Sequence, residues 1–235
     1  MMLGARTGAW AKENGWKNPY VTDGLIAMWD GEWNAGGGVH NPNATNWIDV
    51  VSGRIAKGIG NPAFSDNAAI GDGGTYFDTE TNFNYIQKVT LEVCLNYSEI
   101  RHGSPISAAE SGAVGIQAVD NFFYWAVGNP NGGWFQNTSF NINLNETQTL
   151  SGIADGFSKV FINGELFRTF LNSGVNGIRW PNGNKFYIGF DYGDGLYELN
   201  SFVGKIHCVR VYNRGLSPSE ISANYAVDKA RFNLP

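Results

Sequence analysis

The sequence predicts an all-β fold of many short antiparallel strands that ends in a single helix. Its 235 residues include 31 Gly, 8 Trp, 10 Tyr and 15 Phe against 16% charged residues, a composition that suits pleated surfaces joined by tight turns. In VTLEVCLNY, residues 89–97, apolar and polar side chains alternate as they do in a strand. Asn163-Gly164 separates two alternating runs and is the strongest short-range signal of a β-hairpin. The length suits one all-β domain.

The order of the elements follows from the pattern along the chain. Residues 1–22 have no clear period and are expected to form an arm that docks on the domain or on a partner. The domain is expected over residues 23–235, with a long Gly- and Asn-rich loop at 31–47. Roughly fifteen to twenty strands fit at the usual spacing of strands and turns. The clearest strands are predicted in DGLIAMWD, WIDVV, GTYFDTE, YIQKVTLEVCLNY, AVGIQAVD, NFFYWAVG, FSKVFINGELFRTF, KFYIGFD and FVGKIHCVRVYN.

Alternation also predicts which side chains share a face of the sheet. In residues 89–97 the odd-numbered side chains are expected to face the core, and the even-numbered ones, which include Glu92, to face away from it. In the last strand, His207 is expected to share a face with Val209 and Val211.

A short helix is predicted to begin at Ser217, directly after this last strand. Ser217 can accept from exposed backbone N–H groups, Pro218 is tolerated at the first helical position, and Glu220 completes a capping box. Ile221 and Tyr225 are four residues apart, so they share the face that packs on the domain.

Charge and composition exclude several classes of partner. The net charge is −5 and the 16 Lys and Arg are scattered, so no basic stripe is available for nucleic acid. No apolar run is long enough to predict a membrane span, and the first residues lack the features of a secretory signal. The expected location is a phage particle or a cell surface reached without such a signal, or otherwise the cytoplasm.

Cys94 and Cys208 are the two cysteines, and both lie in predicted strands. Two thiols cannot form a disulfide framework for a chain of this length, and buried cysteine behaves as a small hydrophobe. They are interpreted as two packed free thiols, with a single bridge left open if their strands are neighbours.

The order of the predicted strands and the C-terminal helix resembles the laminin G-like branch of the concanavalin A-like lectin and glucanase superfamily. The resemblance implies a jelly-roll sandwich of two curved antiparallel sheets with a short helix at the carboxyl end. The N-terminal arm with DGLIAMWDGEWNAGG also resembles uncharacterised proteins of gut Firmicutes, some of them encoded in prophages. The superfamily resemblance is carried by four stretches, DGLIAMWD, VTLEVCLNY, KVFINGELF and FVGKIHCVRVYNRGLSPSEISANY.

Catalysis is not expected from the sequence. Glucanases of this superfamily carry a Glu-x-Asp-x-x-Glu strand, because glycoside cleavage needs paired carboxylates. Here Glu92 is followed at the relevant spacing by Cys94 and Tyr97, which cannot replace those carboxylates. The chain also lacks Gly-x-Ser-x-Gly, Walker and His-Glu-x-x-His motifs, and His207 is interpreted as a packing residue.

One loop carries the residue types of a calcium site. In DYGDGLYE, Asp191, Asp194 and Glu198 place three carboxylates around two glycines, and calcium prefers oxygen ligands of this kind. The alternative is a solvated hairpin connection in which the acidic side chains have no ligand.

Aromatic residues near Gly- and Asn-rich turns are the candidates for glycan binding, because an indole or phenol ring can stack on the apolar face of a sugar. In NFFYWAVGNPNGGWFQN, Trp134 is the principal candidate, with Tyr124 and Trp125 beside it. An aromatic side chain in a sandwich strand can equally face the core. Trp33 and Trp47 beside the early loop, and Trp180 in GIRWPNGN, are further candidates.

The leading hypothesis is a non-catalytic, lectin-like domain that binds a carbohydrate or a glycosylated surface, with calcium as the one candidate cofactor. The runner-up is a structural or adhesion component of a phage particle or bacterial surface that contacts protein through Trp10 and Trp16 of the arm. A glycoside hydrolase with an unrecognised active site is third. All three rest on association with a fold, and function has to be argued from the site.

Overall fold

The structure is a computed structural model, and it carries sixteen strands and one helix among the residues that it describes. These residues are 17–83, 86–99, 103–108, 114–119, 122–128, 134–141, 143–171, 178, 185–190 and 201–234. In chain order the elements are β1 (Leu25–Asp30), β2 (Asn46–Ile48), β3 (Ile55–Ile59), β4 (Phe64–Ser65), β5 (Ala68–Asp72), β6 (Tyr76–Asp78), β7 (Val89–Tyr97), β8 (Ile106–Ser107), β9 (Val114–Val119), β10 (Phe122–Gly128), β11 (Trp134–Phe140), β12 (Thr147–Ala154), β13 (Phe157–Ile162), β14 (Glu165–Leu171), β15 (Tyr187–Ile188), β16 (Val203–Tyr212) and α1 (Pro218–Phe232).

The strands form two antiparallel sheets of eight strands each. The first sheet has the order β14-β13-β12-β7-β16-β5-β4, and β1 pairs with the half of β16 that β5 leaves free. The second sheet has the order β11-β10-β9-β8-β15-β6-β3-β2. This confirms the predicted all-β class and the jelly-roll sandwich with a C-terminal helix.

The main core lies between the two sheets. Val89, Leu91, Val93 and Leu95 of β7 belong to it, so the predicted core face of this strand is confirmed. The second sheet contributes large aromatic and aliphatic side chains from almost every strand. They include Trp47, Phe77, Ile106, Ile116, Phe123, Trp125, Phe140 and Ile188.

The opposite face of β7 was predicted to lie outside the core, and this expectation is wrong. Thr90, Glu92 and Cys94 are fully buried. The reason is α1, which contacts β12 and β14 and so covers this face of the first sheet. A strand pattern read in isolation cannot show that a distant helix returns to cover its second face.

The predicted face of His207 is also corrected by the structure. The pairing of β16 with β7 shifts register between Ile206 and Cys208, which marks a β-bulge. Ile206 and Val209 therefore both face the core, while the His207 ring lies 4.8 Å from that of Phe232 on α1. The residue packs as interpreted, but on the helix side of the sheet.

Helix α1 begins as the sequence predicts. The Ser217 side chain accepts a hydrogen bond from the Glu220 backbone N–H, and the Glu220 carboxylate accepts one from the Ser217 backbone N–H at 2.8 Å. Ile221 is buried, and Tyr225 packs with residues of the face that the helix covers. The helix has 15 residues. No helix in the described part of the chain is long and apolar enough to cross a membrane.

The described part of the arm, residues 17–22, docks on the domain. The Tyr20 hydroxyl donates to Asp228 Oδ1 at 2.7 Å, and the Val21 N–H donates to Asn224 Oδ1 at 2.9 Å. Both acceptors lie on α1, so these hydrogen bonds join the described part of the arm to the C-terminal helix. Trp10 and Trp16 lie outside the described residues.

Two further expectations are refined by the structure. In WIDVV the strand ends at Ile48, and Asp49 forms only an isolated bridge with Trp29.

Cys94 and Cys208 are free buried thiols, and they lie directly opposite each other on the neighbouring strands β7 and β16.

Candidate functional site

The second sheet has an outer face that α1 does not cover. Phe77 and Ile188 point into the core, so alternation places Tyr76, Asp78 and Tyr187 on the outer face. Every one of these three side chains is partly accessible to solvent. This part of the molecule is therefore a described surface where a strand scaffold presents aromatic and charged groups together.

Four polar side chains form a row across the outer face, which we call the polar row. Asn46 of β2 is opposite Lys57 of β3, Lys57 is opposite Asp78 of β6, and Asp78 is opposite Tyr187 of β15. Neighbouring strands lie about 4.8 Å apart, so the row offers an amide, an ammonium, a carboxylate and a phenol at regular intervals.

Three rings beside the polar row form a cluster, which we call the aromatic platform. The Tyr76 and Phe190 rings are stacked, with centroids 4.3 Å apart and an interplanar angle of 17°. Tyr187 meets both of them edge-on, at 6.2 Å from Tyr76 and 5.6 Å from Phe190. Phe190 is buried, so the two tyrosine rings are the solvent-accessible members of the platform.

An ion pair fixes the charged part of the site. Lys185 Nζ lies 2.7 Å from Asp78 Oδ2, and this hydrogen bond raises the pKa of Lys185. The other Asp78 oxygen accepts from the Glu80 backbone N–H at 2.7 Å. Burial, and then the negative charge of Asp78, raise the pKa of Tyr76, so its phenol is neutral at neutral pH and can donate a hydrogen bond.

This arrangement suits recognition of a polyhydroxylated ligand. An aromatic ring can cover the apolar C–H face of a sugar, while carboxylate, ammonium and amide groups exchange hydrogen bonds with its hydroxyls. The two partners of the Asp78–Lys185 pair offer an acceptor and a donor side by side without a net charge.

Two of the sequence-predicted aromatic residues are corrected by the structure. Trp47 and Trp125 are 0% exposed, so neither ring is accessible to a sugar. The Trp47 indole N–H donates to the Asp30 carbonyl at 2.9 Å, and the Trp125 ring packs so tightly on Gly152 that a methyl group there would overlap it. Both rings fill the space between the sheets instead.

The remaining aromatic candidates have different positions. Tyr124 is half-buried on the outer face of β10, opposite Gln117. Trp33 is partly exposed beneath the Arg231 guanidinium, which lies 3.8 Å from its ring centroid. Trp134 begins β11, but its side chain lies outside the described part of the structure, as does all of Trp180. The roles of these four residues stay predictions.

The predicted calcium ligands Asp191, Asp194 and Glu198 lie outside the described residues. The residues that flank this segment, Phe190 and Ser201, pair with each other in an antiparallel bridge. The segment therefore starts directly at the aromatic platform, and calcium binding stays a prediction.

Sequence reasoning missed the residues of the polar row and the aromatic platform. One local signal was available, since Tyr76 and Asp78 flank the core residue Phe77, and Tyr187 lies between Phe186 and Ile188. Alternation could thus have placed these polar residues outward. That the two segments become neighbouring strands could not be read from either one.

The strand carboxylate nearest to a glucanase pattern, Glu92, is part of a buried network. Its oxygens accept from Arg210 Nε at 2.9 Å, Asn224 Nδ2 at 2.6 Å and Ser151 Oγ at 3.0 Å. Burial raises the pKa of Glu92. The carboxylate lies beneath α1 and cannot reach a glycosidic bond.

Comparison with known proteins gives a family and several similar folds. A family model described as the concanavalin A-like lectin/glucanases superfamily matches residues 71–222. No curated protein sequence matches the chain. One similar solved structure is domain 4 of AbnA, a GH43 extracellular arabinanase from Geobacillus stearothermophilus, in complex with arabinotriose. It is 16% identical to this chain, with a TM-score of 0.62. The similarity covers 84% of this chain and 96% of that domain.

Two other solved structures share the fold over part of their length. The Botulinum neurotoxin serotype D binding domain is 16% identical with a TM-score of 0.63, over 88% of this chain and 51% of that one. A Trypanosoma rangeli sialidase mutant displaying trans-sialidase activity is 19% identical with a TM-score of 0.65, over 97% of this chain and 36% of that one. The present chain thus spans about half the length of the neurotoxin chain and about a third of the length of the sialidase chain.

Proposed function

The chain belongs to the concanavalin A-like lectin/glucanases superfamily, and from this premise we propose that it is a non-catalytic domain that binds a glycan on the outer face of its second sheet. The observation that carries the proposal is the aromatic platform beside the polar row. Tyr76 and Tyr187 present rings for stacking, and Asp78 and Lys185 present hydrogen-bonding groups within reach of the same ligand.

The comparisons support the class of ligand. Domain 4 of AbnA is held in a complex with arabinotriose, and the present chain is similar to nearly all of that domain. At 16% identity the similarity supports only a shared fold. The proposed ligand class therefore depends on the chemistry of the site in this chain.

A binding role without catalysis fits the described carboxylates. Glu92 is buried against Arg210, and Asp78 is held by Lys185 and by a backbone N–H. Cleavage by the usual pair of carboxylates needs an acid and a second carboxylate on opposite sides of the scissile bond. Release of reducing sugar from glycan polymers above background would instead support the hydrolase hypothesis.

Calcium support is part of the proposal. Asp191, Asp194 and Glu198 follow Phe190 in the sequence and carry oxygen ligands of the kind that calcium prefers, so the proposed glycan site includes a calcium ion held by them. Glycan binding is therefore expected to weaken when a chelator is added and to recover when excess calcium is restored.

The test is a glycan array followed by calorimetry with the ligands that bind, each with calcium and with chelator. Tyr187→Ala is expected to lower the affinity about fivefold or more, because stacking on a ring contributes on the order of 1–3 kcal/mol where it has been measured for bases. Phe157→Ala, which removes an exposed ring from the first sheet, is the matched control and is expected to keep the affinity. Equal affinities for both variants would contradict the proposed site.

Adhesion through protein contacts is the second candidate function. Strand β14 pairs only with β13 among the described residues, and its Leu166 and Phe167 are about half exposed. Exposed apolar edge strands are typical sites of protein association. Adhesion to bacterial cells that survives enzymatic removal of surface glycans, and that Leu166→Lys abolishes, would favour this function over glycan binding.

A further inference from the structure

We propose that the bound saccharide carries an acetamido group, and that an apolar cavity at the end of the outer face receives its methyl group. This inference rests on the proposed glycan-binding function. It adds the chemical class of the sugar, an N-acetylated amino sugar, which the aromatic platform and the polar row do not specify by themselves.

The cavity lies where the early loop meets strands β2 and β3. Its volume is about 210 Å3. Ile55 is 54% exposed, which leaves its side chain at the solvent rim of the cavity. The walls include Ala35, Gly36, Ile48, Val50 and Ile55.

Strand register makes the cavity continuous with the polar row. Ile48 is opposite Ile55, and Asn46 is opposite Lys57, so the two pairs are two residues apart on the same strands. Residues two apart in a strand share a face and are separated by about 7 Å. A substituent that projects from a sugar on the Asn46–Lys57 end of the row can therefore enter the cavity.

The acidic residue in the cavity wall is fully occupied by internal hydrogen bonds. Asp49 Oδ1 accepts from the Met28 N–H at 2.8 Å and from the Val51 N–H at 2.9 Å, and Oδ2 accepts from the Ser52 hydroxyl. Asp49 is almost completely buried. The cavity therefore presents apolar side chains and not a carboxylate, which matches a methyl group better than a hydroxyl or an ammonium group.

The loop that forms the other wall is held in place before any ligand binds. Fully buried Asn34 donates from Nδ2 to the Asn41 carbonyl and accepts from the Asn41 N–H, both at 2.8 Å. The Ile48 N–H donates to the Asn34 carbonyl at 2.9 Å. These bonds join the loop to β2, so the cavity is preorganised, which reduces the entropic cost of binding.

The experiment compares chitotetraose with cellotetraose by calorimetry. The two chains share a backbone and linkage and differ in an acetamido group against a hydroxyl group on each sugar. The wild-type protein is expected to bind chitotetraose roughly tenfold or more tightly than cellotetraose, because burial of one extra methyl group usually gives a preference of this size. Ile55→Asn is expected to reduce chitotetraose affinity to that of cellotetraose and to leave cellotetraose affinity unchanged. Leu144→Asn, at an exposed apolar residue outside the site, is the control and is expected to keep the preference.

A second variant covers the case in which Ile55→Asn does not fold. Ala35→Leu fills the cavity from its opposite wall and is expected to remove the same preference. Equal binding of both probes by the wild-type protein would overturn the acetamido inference and leave the glycan-binding proposal standing. A preference for chitotetraose that persists in the folded variants would overturn the role of the cavity. Binding of neither probe, together with a glycan array on which nothing binds, would overturn the proposed function itself.

Discussion

Arg210 and Asp228 form a bidentate ion pair in which both side chains are fully buried. Arg210 Nη1 lies 2.8 Å from Asp228 Oδ1, and Nη2 lies 2.7 Å from Oδ2. Arg210 belongs to the central strand β16 and Asp228 to α1, so this pair attaches the helix to the sheet. The Arg210 guanidinium also lies 4.1 Å from the Tyr20 ring centroid, which brings the described arm into the same cluster.

Removing Asp228 is expected to destabilise the fold strongly. Asp228→Ala leaves the buried Arg210 charge with Glu92 alone, and breaking a buried pair in this way typically costs about 3–5 kcal/mol. Urea denaturation measures the loss. Asp66→Asn is the matched control, because it removes an exposed ion pair with Lys205 and Asn tolerates the positive φ of this position. Its midpoint is expected to stay unchanged. A loss for Asp228→Ala no greater than the control would contradict this role.

The arm is expected to stabilise the domain through Tyr20. Deletion of residues 1–22 removes the hydrogen bonds of Tyr20 and Val21 to α1, whereas deletion of residues 1–16 keeps them. Thermal unfolding of the two truncated proteins is expected to show a clearly lower melting temperature for the longer deletion. Equal melting temperatures would show that the docked arm contributes nothing to stability.

Gly152 is expected to be intolerant of any side chain. A methyl group there would overlap the ring of Trp125, which is confined between the sheets. Gly152→Ala is expected to cost about 1–3 kcal/mol or more from overpacking. Gly74→Ala is the control, because the nearest atom to its added methyl group would be 3.7 Å away. Equal unfolding free energies for the two variants would show that the core yields at Trp125.

Glu220 is expected to give the fold an acid-sensitive contribution to stability. Its hydrogen bonds, chiefly from Arg214, lower its pKa from 4.5 to about 2. Between these values the folded state binds fewer protons than the unfolded state, so the contribution is complete above about pH 4.5 and is lost as the pH falls to about 2. The difference in melting temperature between wild type and Glu220→Gln should shrink over that range. A difference that stays constant, or one matched by Glu165→Gln at an exposed site, would contradict the linkage.

Local sequence patterns predicted the elements that are long or that carry specific caps. Strands β7 and β16 were recognised because their alternation extends over many residues, and α1 was located by Ser217 and Glu220. The hairpin turn at Asn163 and Gly164 was recognised because an Asn-Gly pair separates two alternating runs. In the structure both residues adopt positive φ, as this turn requires. Strands β4 and β8 contain only two residues each, which is too few for a period.

The site depended partly on local alternation and partly on strand pairings that no local pattern contains. Trp125 and Tyr124 are adjacent, so strand geometry sends one ring inward and the other outward, and alternation with Phe123 and Val127 identifies Trp125 as the inward one. That signal was present and was not used. The contact of Tyr76 with Phe190 joins segments more than a hundred residues apart and arises only when β6 and β15 pair.

The most direct test of the glycan-binding proposal is to titrate the labelled protein with the saccharide that binds best and to follow its backbone amide resonances by NMR. The shift changes are expected to concentrate on β2, β3, β6 and β15, with Tyr76, Asp78 and Tyr187 among the largest. Changes confined to β14, or the absence of changes at saturating saccharide, would contradict the proposal that the outer face of the second sheet is the binding surface.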